Sequence, residues 1–292
     1  MKIEFISEPI EIDAPSASGI IKYNDSLLVV SDNSPYLYCF DLNGEFVSKQ
    51  LIFEAITNEF GIIEKKWKPD FESMELVNEH HIYIFGSGSK SPERDILVIV
   101  FLQENYRTEV VSLSSFYSKI KGLKEFAAIE LNIEACTILN GRIFFFNRSG
   151  NLFFSFLMDD FNSIIFNEES FISPKIYQLR LPSIKGIEAG FSGATGIDAS
   201  NRIIFTASVE NTPNAYDDGE ILGSFIGMIE FNDENEIESY SADPLMENDN
   251  FLKIKVESVC LNHVSLTNIE LFLVTDNDGG SSQLMKCSFS LD

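Results

Sequence analysis

Short apolar runs alternate with polar turns along the whole chain, and the runs have the length of β-strands, not of helices. The clearest stretch spans residues 70–94, DFESMELVNEHHIYIFGSGSKSPER. There a carboxylate and a small residue open one strand, a turn leads into a second, and a Gly/Ser-rich loop follows. Weaker copies recur. Aligned on the small residue, Gly19, Ser73, Ala135, Ala194 and Ser258 mark five starts, at intervals of 54, 62, 59 and 64 residues. After each start comes a second apolar run that ends in polar residues (26–33, 81–89, 142–150, 202–211 and 269–280). A third run follows in every copy, as in YLYCFDL, DILVIVFL, NLFFSFLM, SFIGMIEF and QLMKCSFSL, and a more polar fourth at 45–52, 107–113, 175–181 and 236–242.

A repeated unit of four antiparallel strands predicts an all-β chain folded as a single β-propeller domain over residues 1–292. Five blades is the expected count. Six is the alternative, because the repeat is longer than the usual 40 to 50 or so residues per blade. The fifth copy reaches the C-terminus after three strands, so the N-terminal IEFIS or PIEI segment is predicted to supply its outer strand and close the ring. The excess length falls at 52–69, 114–130 and 243–254, which read as short helices or irregular excursions between blades.

Composition fits a packed interior: 45% of residues are hydrophobic and 26 are Phe. Charge narrows the partners. With 21 Lys and Arg against 45 Asp and Glu, the formal charge of −24 repels phosphate backbones and anionic bilayers, so neither nucleic acid nor a membrane surface is expected as a partner. No basic region followed by an apolar run opens the chain, and no stretch approaches the roughly 20 apolar residues of a membrane span, so a cytoplasmic location is expected. Cys39, Cys136, Cys260 and Cys287 each sit in an apolar run without C-x-x-C spacing and read as reduced core residues.

In a propeller, the loop entering each inner strand and the loop between the second and third strands open on one face. The first class puts Glu72, Glu134 and Glu257 in equivalent positions, with Ser18 and Gly193 in blades one and four, and adds Asp70. The second brings Asp32, Asn33, Ser87, Ser89, Arg94, Arg148 and Asn151, and then Glu210, Asn211, Asn214, Asp217 and Asp218 in blade four and Asp276, Asn277 and Asp278 in blade five. Like charges around one mouth raise one another's pKa unless a cation or proton compensates. Oxygen ligands of this kind suit calcium, with Glu72, Glu134, Glu257, Asp217, Asp218 and Asp276 as its candidate ligands. Arg94 and Arg148 either clamp an anionic group or neutralise the glutamates. His80, His81 and His263 fall at the opposite face, which argues against a Ser-His-Asp triad.

The SGI and LLVVSDN opening, DFESM with GSGS and Arg94 after it, and the GATGI to IFTASVENT run resemble the propellers related to the esterase-like domain of bacterial phytases, and an uncharacterised bacterial group near them. The most specific part is Asp70, Glu72 and Ser73. The resemblance implies a propeller with a polar, calcium-occupied mouth; calcium-dependent lactonase-type propellers place acidic and Asn ligands at the same end. Two functions are expected from this reading. One is a binding protein that takes a small-molecule ligand or a protein partner at the mouth. The other is a calcium-dependent hydrolase of phosphoesters, esters or lactones, in which the ion activates a water.

Overall fold

A computed structural model describes residues 3–167, 171–211, 219–248, 250–276 and 281–290. Its strands form five antiparallel four-stranded blades in a ring, which decides between five and six. The inner strands are Ala17–Tyr23, Phe71–Asn78, Ile133–Leu139, Gly190–Ile197 and Lys255–Val264. In the first four blades each is followed outward by its second, third and fourth strands in chain order, and in the fifth by a second and third. The outer strands Phe46–Leu51, Arg107–Ser112, Lys175–Gln178 and Ile237–Pro244 coincide with the polar fourth runs. Their polarity follows from position, since one face of an outer strand meets water.

Blade five is completed by the N-terminus, through both candidate segments at once. Ile3–Phe5 pairs with Phe289 to Cys287, and Ile10–Pro15 pairs further along the same strand, Ser281–Ser290. The two lie in tandem at the position a fourth strand would take, so the ring presents no unpaired strand there.

The apolar runs pack between blades. Between blades three and four, Phe146 stacks on Phe153 with ring centroids 5.0 Å apart, and Phe153 stacks on Tyr177 at 4.6 Å. Between blades two and three, Phe85, Phe145 and Phe154 meet Phe116 and Phe161. These last two come from helices Ser114–Lys121 and Met158–Phe166, which lay one apolar face each on the barrel of strands. The first helix falls in an expected excursion. The second does not: it begins directly where strand Leu152–Leu157 ends, so its apolar residues merge with that run in the sequence. The 52–69 excursion is irregular with one bridge between Thr57 and Ile63, and the 243–254 excursion is a small hairpin of Met246–Glu247 and Asn250–Phe251. No helix among the described residues is long and apolar enough to cross a membrane.

Around the axis the inner strands approach so closely that side-chain volume is restricted. A Cβ on Gly193 would lie 2.6 Å from Thr206 Oγ1 and 2.8 Å from the Ser258 Cα in the next blade. Backbone cannot yield there without moving the ring. Gly193→Ala is therefore expected to lower stability by about 1–3 kcal/mol in urea unfolding, whereas Gly122→Ala, at a helix end where the nearest atoms are 3.4 Å away, is expected to change it by less than about 0.5 kcal/mol.

Candidate functional site

Every inner strand carries a register shift at its start, and the extra residue is Ser18, Glu72, Glu134, Ser192 or Glu257. A bulge takes one residue out of the ladder and re-aims its side chain. Four of the bulged residues, Ser18, Glu72, Glu134 and Glu257, line the axial mouth on one face, whereas Ser192 is fully buried and donates to Thr206 Oγ1 at 3.1 Å. The sequence alignment slips by one in blade four: the bulged residue is Ser192, not Gly193, and Gly193 corresponds to Gly19, Ser73, Ala135 and Ser258. The repeat of small residues in GFSGATG hides the true register.

The mouth is a cavity of about 700 Å³. Of the predicted site residues it is lined by Asp32, Asn33, Asp70, Glu72, Ser89, Glu134, Arg94, Arg148, Glu210, Glu257 and Asp276. Ser87 lies behind the wall, fully buried. Asn211 is exposed at the end of strand Arg202–Asn211 and lines no part of the cavity. Asp217, Asp218, Asn214, Asn277 and Asp278 lie outside the described residues.

The glutamates do not converge on one point. The mouth divides into two clusters, each with cations of its own. In the first, Asp70 is the hub: its Oδ2 accepts from the Arg94 guanidinium and, at 2.6 Å, from Ser87 Oγ, while Lys68 Nζ lies 2.8 Å from its Oδ1. Lys68 also donates to Asp32, and Arg94 donates to Ser89 Oγ at 2.7 Å. Asp70 holds a left-handed backbone conformation, φ 57°. In the second cluster, Arg148 lies 3.8 Å from Glu134 and 3.6 Å from Glu210, and Lys255 lies 3.0 Å from Glu257 and 3.6 Å from Glu210. Asn132 donates to Glu134 Oε1 at 2.6 Å.

Lys68 and Lys255 are the cations that sequence reasoning missed. Lys255 carried a signal, because residues two apart on a strand share a face and Lys255 stands two before Glu257. Lys68 carried none, since it belongs to an excursion without repeat. Arg94 and Arg148 act as neutralisers of carboxylates, one of the two roles foreseen for them. The histidines lie away from the mouth, as expected: Asn78 Oδ1 accepts from the backbone of His80 and His81 in the turn opposite.

Glu72 differs from its neighbours. It lines the cavity, yet makes no hydrogen bond or ion pair with any described residue. Burial, then the charges of Asp70, Glu134 and Asp32, push its carboxyl well above the ordinary range against the pull of Lys68. Burial likewise raises Asp32, with Lys68 opposing, and pushes Glu134 up to about 7 despite Arg148. Although burial opposes it, the carboxylates of Asp32, Asp70 and Glu72 raise the Lys68 ammonium above its usual value.

Among the described residues, the carboxylates close enough together to hold a cation are those of the first cluster. One oxygen each from Asp32, Asp70 and Glu72 lies within 4.8 Å of the others, a spacing open to calcium–oxygen bonds of about 2.3–2.6 Å. The Lys68 ammonium already bridges two of the three, so an ion there displaces it. Glu134 and Glu257 are engaged in the other cluster.

A model for a family of unknown function, DUF6929, matches residues 13–289. The chain belongs to that family. No curated protein matches it. Among solved structures, the glutaminyl cyclase of Myxococcus xanthus is similar with a TM-score of 0.54 and 9% identity over 99% of this chain and 97% of that one. A member of the DUF4221 family from Bacteroides vulgatus is similar at 0.43 and 10% over 99% of each chain. The likeness to the cyclase, at 9% identity, shows the propeller fold alone, which the resemblance read from the sequence also implied; it carries no link to the phytase-related esterase-like domain.

The uncompensated Glu72 costs stability wherever it is ionised. Between about 4.5, where an ordinary Glu titrates, and the raised values of Glu72 and Glu134, the folded DUF6929 chain keeps protons that the unfolded chain has released. The stability these groups confer is full at low pH and lost as pH rises through about 7 for Glu134 and beyond. Glu72→Gln is expected to raise the melting temperature by roughly 2–6 °C at pH 8 and to leave it unchanged at pH 4.5. Asp70→Asn is expected to act oppositely, costing about 3–5 kcal/mol at pH 8, because it strands Arg94 and Lys68 in a buried setting.

Proposed function

We propose that the mouth binds a small organic molecule that carries a protonated amine and, a few bonds away, a carboxylate or carbonyl oxygen, as amino acids and peptides do. The observation that supports this is the pairing state of two ionisable side chains. Glu72 makes no hydrogen bond or ion pair with any described residue. Arg148, which lines the same mouth, has carboxylates at 3.6 and 3.8 Å but makes no hydrogen bond with any described residue, and its Nη1 is a buried donor without an acceptor among them. An ammonium group supplies Glu72 with the cation it lacks, and an oxygen supplies Arg148 with the acceptor it lacks. Asp32, Asp70, Glu134, Glu210 and Glu257 each lie against a cation of the protein and form a polar wall, so the ligand is oriented by two contacts that the free protein leaves unmade. The reading is one of binding; the raised pKa of Glu72 also suits it to exchange a proton with a bound amine.

A second reading, calcium at the first cluster, rests on Asp32 Oδ1, a buried oxygen without a hydrogen bond beside Asp70 and Glu72. There the ion would replace the Lys68 ammonium, and a metal-bound water is what a hydrolase of esters, lactones or phosphoesters would draw on.

Calorimetry and thermal shift with the twenty amino acids, their amides and calcium chloride separate the two. At least one amine-bearing probe is expected to raise the melting temperature, with the shift lost in Glu72→Gln and reduced at least fivefold in affinity in Arg148→Lys. Binding that survives Glu72→Gln, or no response to any amine, contradicts the first reading. A calcium response abolished by both Glu72→Gln and Asp32→Asn supports the second.

A further inference from the structure

The excursion of residues 52–69 faces two ways. Ile62, Ile63, Lys65 and Lys68 line the cavity, while Ile56, Phe60 and Trp67 are 86%, 80% and 56% exposed. The segment is held in place. Asn58 Oδ1 accepts from the backbone of Phe60 at 2.9 Å and of Ile62 at 3.1 Å, Gly61 N–H donates to Asn58 O at 3.0 Å, and Ile63 N–H donates to Asn33 O at 2.7 Å. Lys68 anchors its far end on Asp32 and Asp70. These bonds keep the apolar side chains from turning inward. An ordered turn that holds three large apolar side chains in water gains nothing for the fold from them, and they stand on the same segment whose other residues line the mouth.

Joined to the reading of the mouth given above, on which it rests, this placement narrows the ligand. We infer that the mouth receives the free N-terminus of a polypeptide: its α-ammonium at Glu72, its first carbonyl oxygen on Arg148, and apolar side chains of the next residues against Ile56, Phe60 and Trp67. A single amino acid makes no use of an apolar rim. An extended peptide advances about 3.3 Å per residue, so residues after the first extend away from Glu72 and can meet the segment that lines the same mouth. The excess of carboxylates around the mouth favours a segment without acidic side chains.

The test uses alaninamide and the tripeptide amide alanyl-leucyl-phenylalaninamide, the latter with a free and with an acetylated N-terminus. Binding is read by calorimetry and by the fluorescence of Trp67, the chain's one tryptophan. The free tripeptide is expected to bind at least tenfold more tightly than alaninamide and than its acetylated form, and to perturb the Trp67 emission. Phe60→Ser, at an exposed position, is expected to remove most of the gain over alaninamide without changing the melting temperature. Equal binding of free and acetylated tripeptide overturns the inference, as does equal affinity for alaninamide and tripeptide in both the native chain and Phe60→Ser. In the latter case the small-amine reading stands. If neither alaninamide nor the tripeptide binds, both readings fall.

Discussion

Five strand ends crowded around one axis govern the rest of this molecule. Where the inner strands begin, the space left by neighbouring blades admits a methyl group or less, as Gly193 shows against Thr206 and Ser258. A bulge sits at that point in every blade, and in four of the five the residue it expels from the ladder lines the channel, Ser192 of blade four being buried instead. Crowding thus sorts positions that are adjacent in the chain. The small residue packs, and the residue before it is free to be chemical.

Three of those five positions hold glutamate, which would be untenable in a closing ring if the charges met without counterions. The structure answers with cations drawn from unrelated elements. Lys68 comes from an excursion, Arg94 and Arg148 from loops between second and third strands, and Lys255 from the entry to an inner strand. The result is a wall whose charges are mostly spent on one another. Glu72 is where the compensation stops, and a carboxylate left without a partner works against the fold. Function is the ordinary reason for such a residue to persist, because a ligand repays in the complex what the free protein lacks.

The sequence showed the blades because strand spacing and polarity are local properties: the inner, second, third and outer runs coincide with strands, and the unfinished fifth copy pointed to the N-terminus. It showed the face of the mouth for the same reason, since topology assigns each loop to one end of the ring. It did not show pairing. Whether Glu134 meets Glu72 or Arg148 depends on the third dimension, and three carboxylates expected to share one ion turned out to lie in two clusters. The one-residue slip at Ser192 has a similar origin, because a bulge leaves no mark in a run of small residues. Helix Met158–Phe166 was not read because it starts on the residue after its preceding strand, with no Gly or Pro between them to mark a turn.

The account turns on Glu72 being an ionisable group that the protein leaves uncompensated, and its titration tests that most directly. With glutamate labelled at the side-chain carboxyl carbon, the native chain and Glu72→Gln can be compared by NMR across pH 3 to 9, and the resonance absent from the variant assigned to Glu72. A midpoint well above the ordinary value of about 4.5 is the predicted result. A midpoint at or below that value would mean that a partner already stabilises the carboxylate, and the mouth would have no unmet charge to offer.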